Sequence, residues 1–381
     1  MPDPRLAKLA DVIVSYSTGV KPGDLVSIAC DPIAMPLLRA VYERVLAAGG
    51  HPSWSPASDD LRELLLTNGT DEQISFFSPI QMHEVETIDV MIKFWAETNT
   101  RRFNGVEPRR LATAAAARKP FMSTFMSRAA EGSLRWCGTL FPTEASAQDG
   151  EMSLAAYEDF VFRAGLLHLD DPVAAWNALA EKQQRLCDWL QQKKELRFRA
   201  PGPGDEPTDL TVSVDGATWI NCCGHENFPD GEVFAGPQGV DGVVHYTFPG
   251  VYQGREVEGI RLEFKAGRCV DASATKNEAY LINMLDLDEG ARNLGEIAIG
   301  TNYDIQQFTK NTLFDEKIGG TFHAAVGAGY PESGCSNESG LHWDMVCELR
   351  PGPGRDGGTI EADGEVFHRD GQFLQEGWPG R

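Results

Sequence analysis

No CxxC pair occurs anywhere in this 381-residue chain, and no apolar run reaches the length needed to span a bilayer. Without CxxC there is no ordinary zinc-ribbon or thioredoxin-type site. The eight cysteines are thinly spread: Cys30, Cys137, Cys187, Cys222, Cys223, Cys269, Cys335 and Cys347. Only Cys222 and Cys223 are adjacent, a spacing poor for a mutual disulfide. All eight are expected reduced and mostly buried. Basic residues are also scarce, 34 Lys and Arg against 56 Asp and Glu, for a net charge of −22. Such a surface repels nucleic acid and anionic membranes, so neither is expected as a partner. No GxGxxG follows the first strand-like run and no GxxxxGK[ST] occurs, so the two common phosphate-cradling loops are excluded. The N-terminal stretch lacks a basic segment followed by an apolar one, which gives the expectation of a cytoplasmic protein.

What is present suits two domains. "LVSIAC", "HPSWSP", "VMIKFWAE" and "LRWCGTLFP" read as short strands. The helical stretches "MPLLRAVYERVLAAGG" and "LRELLLTNG" lie between them and stop at glycines. This alternation predicts an α/β N-terminal domain with a largely parallel sheet over residues 1–194, closed by a long helix from Asp171 to Lys194. After a Pro/Gly/acidic stretch the pattern changes to short strands broken by Gly, Pro and Asp, with one helix around "KNEAYLINMLDL". Residues 195–381 are therefore expected to form a mostly β (α+β) C-terminal domain. Asp363-Gly364 near its end suits a type I′ hairpin turn.

Two of only eight histidines fall in "GGTFHAAVGAGYPESGCSNESGLHWDMV". If "LHWDMV" is a strand, its period of two puts His342 and Asp344 on one face, with Trp343 and Met345 on the other. The plain alternative is a His–Asp hydrogen bond on a half-buried sheet. His323 sits in an apolar run, where an imidazole needs a partner. Three glutamates also lie beside strand-forming residues: Glu232 in "NFPDGEVFAGP", Glu296 in "NLGEIAIGTN" and Glu316 in "LFDEKIGGTFH". Each has a plain reading as well: a hairpin residue, a strand end, or an ion pair with Lys317. Together the six offer four carboxylates and two imidazoles, enough for two divalent ions sharing a bridging carboxylate.

In these segments the chain resembles the thermophilic aminopeptidase family, the metallopeptidases of aminopeptidase T, S and II type. "NFPDGEVFAGP", "LGEIAIGTN", "LFDEKIGGTFHAAVGAGYPESG" and "SGLHWDMV" follow one another in the family's order. The resemblance implies a metal-dependent aminopeptidase that hydrolyses the N-terminal residue from peptides with a free N-terminus. It implies two divalent cations per chain (Zn, Co, Mn or Mg) on Glu232, Glu296, Glu316, His323, His342 and Asp344. It also implies an active-site tyrosine at Tyr330 and a homodimer. Tyr330 would donate to the developing oxyanion, and Glu316 would carry the proton to the leaving amine. One alternative is a mononuclear Fe(II) ring-cleaving dioxygenase on the same fold, which needs only His323, His342 and Asp344 as a facial triad. A structural metal site is the other, though closed Cys/His shells are its usual form.

Overall fold

Strands of the first unit form a wholly parallel five-stranded sheet, in the order His51–Pro56, Leu25–Cys30, Val90–Trp95, Arg135–Leu140 and Asn227–Phe228. The computed structural model describes residues 3–381. Val26, Ile28, Val90, Ile92 and Cys137 are fully buried, as expected when helices cover a parallel sheet. The helix Met35–Ala47 follows the first strand and is stopped by Gly49 at φ +82°. Asp59–Asn68 starts behind Ser58, whose hydroxyl accepts from the Leu61 amide, and ends at Gly69. The helices Pro79–Thr87, Pro108–Ala117 and Lys119–Ala130 were not anticipated from the pattern. They bury only Val85, no residue and Phe125 respectively, with partly buried Met82 and Phe121 beside them, so the apolar positions are too few to stand out as a period.

By contact the chain separates into one unit running through Val173 with Gly224–Phe228, and a second of Ala174–Cys223 and Pro229–Arg381. The helix Pro172–Leu190 thus goes almost entirely with the second unit, not with residues 1–194. Its Leu186, Cys187 and Leu190 join the same buried core as Leu196, Phe198 and Val212. That core lies between two antiparallel sheets. One has eight strands, from Arg268–Ser273 at one edge to Gln372–Phe373 at the other. The other has five, in the order His342–Glu348, Thr321–Gly327, Leu294–Gly300, Glu232–Ala235 and Ile220–Cys222. Phe198 of the larger sheet meets Phe322 of the smaller one with ring centroids 4.5 Å apart. Thr359–Ala362 and Glu365–Arg369 form the expected hairpin. Asp363 (φ +49°) and Gly364 (φ +83°) make its two-residue turn, with the paired positive φ that type I′ requires. None of the eight cysteines forms a disulfide. Among the described residues no helix is long and apolar enough to cross a membrane.

Candidate metal centre

The five-stranded sheet of the second unit has one oily face and one acidic face. Ile297, Ile299, Val233, Ala235, Phe322, Ala324, Trp343 and Met345 point into the core. Every alternate residue then points the other way. Register aligns them across strands: Glu232 is opposite Gly300, Ala298 opposite His323, Glu296 opposite Ala325, Ala325 opposite Asp344, and Gly327 opposite His342. Glu232, Glu296, His323, His342 and Asp344 therefore share one face. Glu316 reaches them from a single helical turn, Thr312–Asp315. Asn311 caps its start by accepting from the Leu313 amide. Buried Asp315, its carboxyl pushed up to about 8 by burial, accepts from both the amide and the hydroxyl of Thr309.

Ligand-type atoms fall into overlapping triads, each within 4.8 Å: Glu232–Glu296–His323, Glu296–His342–Asp344 and Glu316–His323–Asp344. His323 Nε2 is 3.0 Å from Glu296 Oε1, 3.4 Å from Glu232 Oε2 and 4.0 Å from Asp344 Oδ1. His342 Nε2 is 3.4 Å from Asp344 Oδ1 and 3.9 Å from Glu296 Oε2. The other nitrogen of each ring faces a backbone carbonyl: His323 Nδ1 that of Glu316 at 3.1 Å, His342 Nδ1 that of Ala328 at 2.7 Å. A carbonyl only accepts, so each Nδ1 carries the hydrogen and each Nε2 is aimed at the carboxylates, as second-shell carbonyls orient metal-binding imidazoles.

The side chains alone leave this cluster incomplete. Among the described residues, Glu232 Oε2 and Asp344 Oδ1 are buried without a hydrogen-bond partner. Burial pushes Glu232 and Glu316 upward, and Glu296 or Asp344 nearby adds to the crowding of charge. Burial alone would lower His323. The bond donated to Glu296 and the charges of Glu232, Glu296 and Asp344 outweigh it and raise the imidazole to about 9. The same opposition raises His342 to about 10, with Asp344 as its main attraction. Burial opposes ionisation of Asp344 too, yet His342 and His323 hold it well below the usual carboxylate range. Such a proton-hungry pocket of carboxylates with unpartnered oxygens fits divalent cations, whose binding would displace those protons.

Tyr330 lies between Gly329 and Pro331 in extended backbone, its carbonyl accepting from the Ser333 hydroxyl. Its ring meets His342 edge-on at 5.3 Å and Phe234 at 5.5 Å. The residue is 38% exposed. Even so, partial burial and the charges of Glu296 and Asp344 push its phenol upward, which keeps it a donor at neutral pH. Lys317 was read only as a possible partner of Glu316. In the structure it is 1% exposed and its Nζ bonds Glu232 Oε1 at 2.7 Å and Glu316 Oε1, with Asp230 Oδ1 at 3.6 Å. A lysine at the head of the apolar, Gly-rich "IGGTFHAAVG" run was the available signal. Asp230 and Cys222, which form a further triad with Glu232, also went unnoticed.

Comparison with known proteins agrees with the geometry. The family description "Thermophilic metalloprotease (M29)" matches residues 2–373. Aminopeptidase 2 of Geobacillus stearothermophilus is 28% identical over 98% of both chains. Aminopeptidase PepS of Streptococcus thermophilus is 29% identical over 86% of this chain and 85% of its own. Aminopeptidase T of Thermus aquaticus is 35% identical over 45% of each. Wild-type AmpT from Thermus thermophilus shares the fold, with a TM-score of 0.83 at 24% identity, covering 98% of this chain and 99% of that one. The ring-cleaving iron alternative is not supported. The matched relatives are peptidases, and three further glutamates surround the triad it would use.

Proposed function

The chain belongs to the M29 family of thermophilic metalloproteases and is a metalloaminopeptidase; from that premise we propose that it removes the N-terminal residue of peptides with two divalent cations held by Glu232, Glu296, Glu316, His323, His342 and Asp344. The observation that carries this reading is the pair of triads sharing Glu296, one with Glu232 and His323, the other with His342 and Asp344. A carboxylate common to two triads suits a bridging ligand. Bound there, the ions would supply a water nucleophile active near neutral pH and a Lewis acid for the scissile carbonyl. The chain's own groups do the rest. Tyr330 donates its hydroxyl hydrogen to the carbonyl oxygen as negative charge develops. Glu316, 13% exposed at its side chain, takes a proton at a carboxylate oxygen and returns it to the departing amine. The concentration of carboxylates also favours a cationic free α-amino group over a blocked one.

Zinc, cobalt, manganese and magnesium each suit part of this oxygen- and imidazole-rich set. The acidic composition and the absence of disulfides among the eight cysteines fit a reducing cytoplasm. The homodimer is carried by the family resemblance alone. The test is a set of paired peptides with free and acetylated N-termini, assayed before and after chelation. Free-amine peptides alone should be cut, and activity should return with added metal. Equal cleavage of both members of a pair would contradict an exopeptidase.

A further inference from the structure

A fixed positive charge among metal ligands is unexpected, because it repels the cations the site is built to hold. Lys317 is such a charge. It follows Glu316 directly in the chain and is wholly buried, and three carboxylates, those of Glu232, Glu316 and Asp230, lie within 3.6 Å of its ammonium. An ordinary buried ion pair needs one partner. The backbone holds the lysine there: its carbonyl accepts from the Asn302 amide at 3.1 Å, and the Asn302 side chain donates to the Asp230 carbonyl at 2.8 Å. The ammonium also borders a fourth ligand-type cluster, Cys222–Asp230–Glu232, whose atoms lie within 4.8 Å of one another. Its charge is felt at the Cys222 thiol.

We propose that the Lys317 ammonium is the permanent occupant of a third cation position in this centre, keeping exchangeable metal out of the Cys222–Asp230–Glu232 cluster and fixing one oxygen each of Glu232 and Glu316. The inference rests on the two-cation reading above. Charge supports it: Asp230, Glu232, Glu296, Glu316 and Asp344 bring five negative charges, and two divalent ions leave one of them to be neutralised. Geometry supports it as well. Lys317 takes Glu232 Oε1, while Glu232 Oε2, unpartnered, is the oxygen turned toward His323. Lys317 is therefore a positioning residue for the metal site, acting through the two glutamates.

Cobalt distinguishes the positions, because a thiolate bound to Co²⁺ gives a charge-transfer absorption that carboxylates and imidazoles do not. Equilibrium dialysis against cobalt should show Lys317→Met and Lys317→Gln each binding about one more ion per chain than the wild type. A thiolate band should appear in both and vanish when Cys222→Ser is added. Unchanged stoichiometry without a band in a folded variant would overturn the proposal. The gain is read as a difference, so it stands apart from the two-cation reading, which fails separately if the wild type binds one ion. Should neither variant fold, the wild type decides. Cobalt-loaded wild type without a thiolate band, and Cys222→Ser with an unchanged cobalt count, support Lys317 as the occupant. A thiolate band in the wild type overturns it.

Discussion

Tyr330 is the proposed hydrogen-bond donor to the developing oxyanion. Its hydroxyl belongs to a half-exposed ring braced against His342 and Phe234, and partial burial, with the nearby carboxylates, keeps it protonated. Tyr330→Phe removes one donor and keeps the ring. By analogy with loss of one oxyanion donor, kcat should fall about 10²–10³-fold. KM, metal content and melting temperature should change little. A near-normal kcat would remove Tyr330 from the mechanism, and loss of metal would make it a support of the site. The six acid and imidazole residues were legible because each breaks a local rule: a charge or an imidazole where strand-forming neighbours demand burial. Period two placed His342 beside Asp344 without a structure. Lys317 was hidden because a lysine next to a glutamate reads as a surface ion pair, and only its three-dimensional surroundings show it fully buried.

At the scale of elements, the close approach of strands is what holds the ligands in register. Gly327 ends the His323 strand opposite His342, at φ +101°, and a Cβ there would meet the Leu341 carbonyl oxygen at 2.1 Å. Gly327→Ala should destabilise the chain by about 2–4 kcal/mol and weaken metal binding, since both faults fall on the strands carrying His323 and His342. Gly364 is the contrast. Its φ is +83° but nothing lies near its missing Cβ. Gly364→Ala should cost only about 1 kcal/mol and leave metal affinity intact. Urea melts with parallel metal titrations check both; equal effects on metal binding would break the link between strand register and the site. The I′ turn at Asp363-Gly364 and the parallel strands were readable because turn chemistry and β-rich runs are local signals. The helices between Pro79 and Ala130 were not, because their mostly exposed faces impose no apolar period.

For the whole molecule, stability should depend on pH through His368, which is fully buried with both ring nitrogens lacking hydrogen-bond partners among the described residues. Burial pushes it down from 6.5 to about 3. Above pH 6.5 both folded and unfolded chains hold it neutral, so its contribution is fully present. Between 6.5 and about 3 only the unfolded chain takes the proton, and stability falls by about 1.4 kcal/mol per pH unit. Denaturant melts across that range should show a shallower slope for His368→Leu than for the wild type; equal slopes would show that the folded chain admits the proton. The switch from a parallel sheet to mostly antiparallel strands was legible from the change of strand pattern. The placing of the Pro172–Leu190 helix was not, because its partners, such as Phe198 and Val212, come later in the chain. The proposed centre of the molecule's chemistry is a pair of divalent cations on one face of the second unit's smaller sheet. Elemental analysis of the zinc- or cobalt-saturated chain, beside His342→Ala and Asp344→Ala, tests it most directly. A two-cation centre predicts about two ions per wild-type chain, with metal and peptidase activity falling together in both variants. One ion per wild-type chain, or full occupancy in both variants, would contradict it.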